Sequence, residues 1–237
     1  MTLRTLPGTS PFAGDDGSAD PALATVLAAH AAGDAGLPDV LAALSAARVL
    51  VAILPHGREI TPEQEAAGRS GQAAVMGMPM DDGRAAMPVF SSVAALTAWR
   101  ADARPVPTAA PQAAQGALAE GWQLLVLDPA GPVPVRLPRP AVTALAHGAA
   151  WQPAVGEGRV ADDVAAAVRA AVAAVGEVAG VAVEPGARAE VAVHLALPAG
   201  MDRAALDEVV GRVNAALAAD PTVAARVDSL ELRVRRA

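Results

Sequence analysis

The chain has 237 residues, room for one large or two small domains, with a net charge of −7 and 53% apolar residues, many of them alanine. It has no Cys, which excludes disulfides, thiolate chemistry and Cys-ligated zinc, and its acidic balance argues against non-specific nucleic-acid binding through clustered cations. The 18 basic residues are all Arg, and the aromatics are only Phe12, Phe90, Trp99, Trp122 and Trp151, so Val, Leu and Met must supply most of the core.

The first eight residues lack the apolar run of a signal peptide, and the alanine-rich stretch 22–32 is too short to span a bilayer and contains His30. A cytoplasmic location is expected by elimination, with no membrane partner. Asp20-Pro21 predicts a capped helix over 21–32, with Leu23, Val26 and Leu27 on one face and Gly33 ending it. A second helix is predicted over 38–46, then a buried strand over 48–54 closed by Pro55. Residues 56–71 are polar and Gly-rich, with a capping-box spacing at Thr61-Pro62-Glu63-Gln64, and are expected to form a mobile loop.

Strands over 73–80 and 84–90 flank Asp81-Asp82-Gly83, whose Asp-Gly step suits a hairpin turn. Met76, Met78 and Met80 share one face of the first of these strands and read as core filler. Ser91 is expected to cap a helix over 92–101. After it come an extended Arg104-Pro-Val-Pro107, a helix over 110–120, a strand over 122–127 and a turn at Asp128-Pro129. A short strand over 133–137 and a helix over 140–147 complete an N-terminal domain over 1–150.

Residues 151–160, rich in Pro and Gly, read as a linker. A C-terminal domain over 161–237 then shows the order α-β-β-α-β. Asp162 is expected to cap its first helix; Val191, Val193, Leu195 and Leu197 alternate; Leu206, Val209, Val210, Val213 and Leu217 stripe the second helix. Leu230, Leu232 and Val234 mark a last strand, on which Arg233 and Arg235 share a solvated face. The expected fold class is α+β: two small α/β-layered domains with mixed or antiparallel sheets.

The stretch Asp81-Asp-Gly-Arg-Ala-Ala-Met-Pro-Val-Phe90, followed by Ser91-Ser-Val-Ala-Ala-Leu-Thr-Ala-Trp99, resembles the SseB N-terminal domain. Arg104-Pro-Val-Pro107, Leu125-Val-Leu-Asp-Pro129 and Leu137-Pro-Arg-Pro140 continue that resemblance, which covers about residues 10–150. Pro11-Phe-Ala-Gly-Asp-Asp-Gly17 is similar to the start of actinobacterial-type members, and the C-terminal block resembles the second domain of many members. The resemblance implies a family named for an effect on serine sensitivity, and it brings no catalytic residues to carry over. The same name is attached to a type III secretion translocon component; that role fits poorly, because the chain lacks the long membrane-seeking helices it needs.

The residues suggest no catalytic centre. His30 and His147 fall in last helical turns, His56 in a loop and His194 on the polar face of a strand, none in a metal-binding spacing. The pairs Asp15-Asp16, Asp81-Asp82 and Asp162-Asp163 suit turns and helix starts. Ser91 lacks the flanking glycines of a nucleophile elbow, and no Gly-rich phosphate cradle is present. No cofactor and no metal are expected. The leading expectation is a non-enzymatic binding or regulatory module acting on an unknown protein partner, with self-association possible. The alternative is a sensor of a small carboxylate or phosphate, with Arg84, Ser91, Ser92, Arg104, Asp128 and Arg139 around a site in the N-terminal domain.

Overall fold

A computed structural model describes Phe12 and residues 14–53 and 75–237. The chain forms two compact units, Met1–Trp151 and Gln152–Ala237. The expected loop over 56–71, with His56 and the Thr61 capping box, lies outside the described residues.

In the first unit α1 (Pro21–Ala32) starts where Asp20 accepts the N–H groups of Ala22 and Leu23, and it ends on left-handed Gly33. Then follow α2 (Leu37–Ala46), β1 (Arg48–Ile53), β2 (Met78–Pro79), β3 (Ala85–Phe90), α3 (Val93–Trp99) and β4 (Arg104–Ala109). The unit closes with α4 (Ala110–Ala119), β5 (Leu124–Leu127), β6 (Val135–Leu137) and α5 (Arg139–His147). The sheet order is β4-β1-β3-β5-β6, with β2 also paired to β3. β3 and β5 run parallel and the other pairs antiparallel, so the sheet is mixed.

Alternation along the strands sorts the core onto two faces. Val49, Val51, Met87, Val89, Leu125 and Leu127 pack beneath α2, α4 and α5 with Leu44, Ala114 and Leu145. Leu50, Ala52 and Phe90 point the other way, onto Leu96 of α3 and Trp99. Met78 and Met80 pack half-buried on Ala86, Leu124 and Val126, as core filler should. The Asp81-Asp82-Gly83 turn forms as expected: Gly83 takes φ +81° and Met80 N–H bonds Arg84 C=O at 2.9 Å. Residues 73 and 74 of the strand expected over 73–80 lie outside the described residues; of the rest, only Met78–Pro79 pairs as a strand, with an isolated bridge from Val75 to Ile53.

The second unit begins where a linker was expected. β7 (Val155–Gly156) and β8 (Arg159–Val160) form a hairpin whose turn places Glu157 at φ +50° and Gly158 at φ +73°. Ala154 and Val160 are buried, so apolar side chains pull this Gly-rich stretch into the core. After it come α6 (Asp162–Ala173), β9 (Gly180–Pro185), β10 (Val191–Leu197), α7 (Arg203–Ala219), α8 (Pro221–Arg226) and β11 (Leu230–Arg236). Asp162 is the first helical residue of α6 rather than its cap; the cap position is Ala161, which has no side-chain acceptor to offer. Asp202 does cap α7.

The three-stranded sheet has the order β11-β10-β9, β9 antiparallel and β11 parallel to the central strand. Val191, Val193, Leu195 and Leu197 bury one face against Val164, Val168, Val209 and Val213. At the β9–β10 turn a Cβ on Gly186 would lie 2.2 Å from the Ala189 carbonyl, so the backbone can close there only without a side chain. Two mixed sheets, each layered with helices, and the small antiparallel β7–β8 hairpin make the chain α+β.

Candidate functional site

Open α/β sheets present their reactive groups at the carboxyl ends of parallel strands. In the first unit that place is the end of β3 beside β5. Ser91 follows β3 directly and is only 6% exposed. Its N–H donates to Asp128 Oδ1 at 2.8 Å and its hydroxyl to Oδ2 at 2.6 Å. Asp128 ends β5 with φ +50°, an uncommon conformation for a residue with a side chain, and its own N–H bonds Val89 C=O at 2.9 Å. The expected helix cap is therefore reassigned: Ser92 caps α3 by accepting Ala95 N–H, while Ser91 joins two strands. Likewise the Asp128 carboxylate reaches Ser91 across the sheet rather than bonding its own turn.

Arg48 completes the cluster, and sequence reasoning passed over it. From the first position of β1 it donates to Ser91 C=O at 2.9 Å and to Ser18 C=O at 2.5 Å. It also meets both oxygens of Asp15, at 2.6 and 2.5 Å. Both side chains are mostly covered, 14% and 13% exposed, so this two-pronged pair is well placed to hold its geometry. Gly17, at φ +80°, lets the strand of chain turn so that its C=O accepts Val93 N–H at 2.8 Å. Beside it the Ser18 hydroxyl, and then the Ser18 N–H, hold the Asp16 carboxyl below its ordinary range. Thus Asp15, Ser18, Arg48, Ser91 and Asp128 form one hydrogen-bonded clamp. The hint in the sequence was a lone cation opening an otherwise apolar strand, together with the Asp15-Asp16-Gly17 turn.

The arginines named from sequence lie elsewhere. Strand register puts Arg84, Arg104 and Arg139 at the opposite end of the sheet from Ser91, Ser92 and Asp128. They flank β3, β4 and β6, at least two strand spacings apart, on the order of 10 Å. Arg84 and Arg136 both engage Asp82, at 2.9 and 2.7 Å, and the Arg84 guanidinium foremost drives the Asp82 carboxyl far below its usual range. The six residues do not form one constellation.

Among the described residues no histidine is hydrogen-bonded to the clamp. His30 Nδ1 lies 2.8 Å from Ala35 C=O and His147 Nδ1 2.8 Å from Thr143 C=O, both in last helical turns. His194 sits 3.5 Å from Glu184 on the second unit's sheet. Among the described residues no group of three or more His, Asp or Glu side chains is placed to hold a metal, and no helix is long and apolar enough to cross a membrane. A mostly apolar groove of about 340 Å³ opens beside α4, lined by Val51, Met87 and Trp122 among others, with Thr108, Gln112 and Glu120 as its polar lining.

No curated protein and no solved structure matches the chain. The model of the SseB protein N-terminal domain matches residues 23–144, which spans α1 through most of α5 and takes in Arg48, Ser91 and Asp128. The chain belongs to the SseB family.

Proposed function

We propose that the chain is a non-enzymatic binding or regulatory module that works in the cytoplasm through contacts with other proteins. One observation carries this reading. At the sheet end where α/β folds present reactive groups, the Ser91 hydroxyl and both Asp128 oxygens are engaged with each other, and Arg48 is engaged with Asp15 and two carbonyls. A nucleophile needs a base that takes its proton and a cleft that receives substrate. Ser91 instead has a carboxylate that fixes its position and a nearly closed surface. The family's name, taken from an effect on serine sensitivity, is in keeping with a regulatory role of this kind.

Affinity capture of the tagged full chain after in-cell crosslinking tests the reading. The expected result is a recurrent partner that is retained by Ser91→Ala, a substitution that weakens the clamp. No recurrent partner over several growth conditions would overturn it. The second reading is a sensor of a small carboxylate or phosphate; strand order sets Arg84, Arg104 and Arg139 too far apart to hold one such anion together, so it would rest on a single arginine at that end of the sheet. A thermal-shift screen with serine, other amino acids and nucleotides separates the two, because a selective ligand stabilises the folded state.

A further inference from the structure

β11 is an edge strand: among the described residues only β10 pairs with it. Ser229 C=O and Ala237 N–H both turn toward β10, bonding Val191 and Leu197. The two-residue period of a strand then turns the backbone groups of Glu231, Arg233 and Arg235 the same way, leaving those of Leu230, Leu232, Val234 and Arg236 on the free edge. None of these four is proline, so each offers both an N–H and a C=O to an added strand.

The two faces beside that edge differ. Register places Glu231, Arg233 and Arg235 on the face away from the helices, with Leu232 and Val234 on the helix side. Glu231 is already satisfied by the N–H groups of Ala187 and Arg188 and by the Arg188 and Arg233 guanidiniums. Arg235 and Arg236 are exposed and have no ion-pair partner among the described residues. Val234 is 46% exposed, and it borders a hollow of about 220 Å³ lined by Leu197, Met201 and Leu206.

We infer that the free edge of β11 binds an extended acidic peptide segment of a partner protein as an added strand. Alternate carboxylates of the segment lie along the face of Arg235, Arg233 being already paired with Glu231, and the intervening apolar side chains lie over Val234 and the hollow next to it. Cross-strand neighbours of opposite charge favour such a pairing, and the row of arginines disfavours a basic one. This rests on the protein-contact reading above and supplies its surface and the chemistry of its partner.

The test uses the full chain and a fluorescein-labelled octapeptide of alternating Glu and Val, followed by fluorescence anisotropy. Saturable binding is expected, weakening as salt rises. The Arg235→Glu/Arg236→Glu variant, checked for retained fold by circular dichroism, is expected to bind about tenfold or more weakly. The same peptide N-methylated at alternate residues keeps its charge and loses its donors, so it is expected not to bind. Absence of binding, or binding indifferent to N-methylation, overturns the proposal. Pairing of two copies through β11, seen as concentration-dependent dimerisation that excludes the peptide, overturns it in favour of self-association. If the peptide fails while captured partners persist in the Arg235→Glu/Arg236→Glu variant, only the edge assignment falls. If the peptide binds while no cellular partner is recovered, the broader reading falls and the edge remains.

Discussion

Among the described residues β4 and β11 are both edge strands, and their sequences treat the same exposed backbone in opposite ways. In β4 the Ala110 N–H that follows bonds Ala47 C=O, so alternation directs Arg104, Val106 and Thr108 toward β1 and leaves Pro105, Pro107 and Ala109 outward. Two of those three outward residues have no N–H to give, which closes the edge to a further strand. β11 keeps every outward donor and guards its edge with charge alone. Proline blocks any strand, whereas a row of arginines discriminates between strands by charge. The β4 edge is thus sealed, and the β11 edge is selective.

The two units also fasten distant segments differently. The first uses Arg48 to hold Asp15 and Ser18 against Ser91, across 30 to 43 residues of chain. The second uses Glu231, which receives the Ala187 and Arg188 N–H groups and so ties the β9–β10 turn to β11.

The largest expected effect breaks the second unit alone. Leu195 lies fully buried in the central strand, and Leu195→Ala is expected to cost about 2–5 kcal/mol. Native-state hydrogen exchange should show β11 amides losing protection while β4 amides keep theirs, because the two units have separate cores. Next, Arg48→Ala removes a mostly covered cation with three partners and strands Asp15, for an expected loss of about 2–3 kcal/mol in urea unfolding of the first unit. Protection at Asp15–Ser18 contacts, read at the Val93 amide, should fall with it.

Replacing Pro105 and Pro107 by Thr sharpens the edge comparison, at an expected stability change within about 1 kcal/mol. It restores two outward donors, so the variant should self-associate more strongly than the parent chain in sedimentation runs. The smallest effect concerns acid. The Ala187 N–H foremost, with the neighbouring Arg188 N–H and the Arg233 and Arg188 guanidiniums, pulls the Glu231 carboxyl from an ordinary 4.5 down to about 2. Its contribution is therefore complete above about pH 4.5 and is lost as pH falls toward 2. Glu231→Gln should flatten that part of the second unit's stability profile in pH-jump unfolding.

Local signals in the sequence carried most of the elements. Asp20-Pro21 marked the start of α1, Asp81-Asp82-Gly83 its hairpin, and the alternating Val191 to Leu197 the central strand, because each depends on neighbours a few residues away. The same Asp-Pro signal at Asp220-Pro221 starts α8, which sequence reading passed over in following the long stripe of α7. What stayed hidden depends on distant partners. Ser91 looks like a cap until Asp128, 37 residues on, arrives beside it. The period of two in β11 says which residues face the core and nothing about a parallel neighbour. Arg84, Arg104 and Arg139 appear as one group only along the chain, since strand order separates them.

The contrast between the two edges is tested most directly by mapping backbone amide shifts of the full chain during titration with the alternating Glu-Val octapeptide. The expected perturbations fall on the amides of Leu230, Leu232, Val234 and Arg236 and around Met201 and Leu206, with Arg104 to Ala109 unmoved. Shifts centred on β4, or none along β11, would contradict the account.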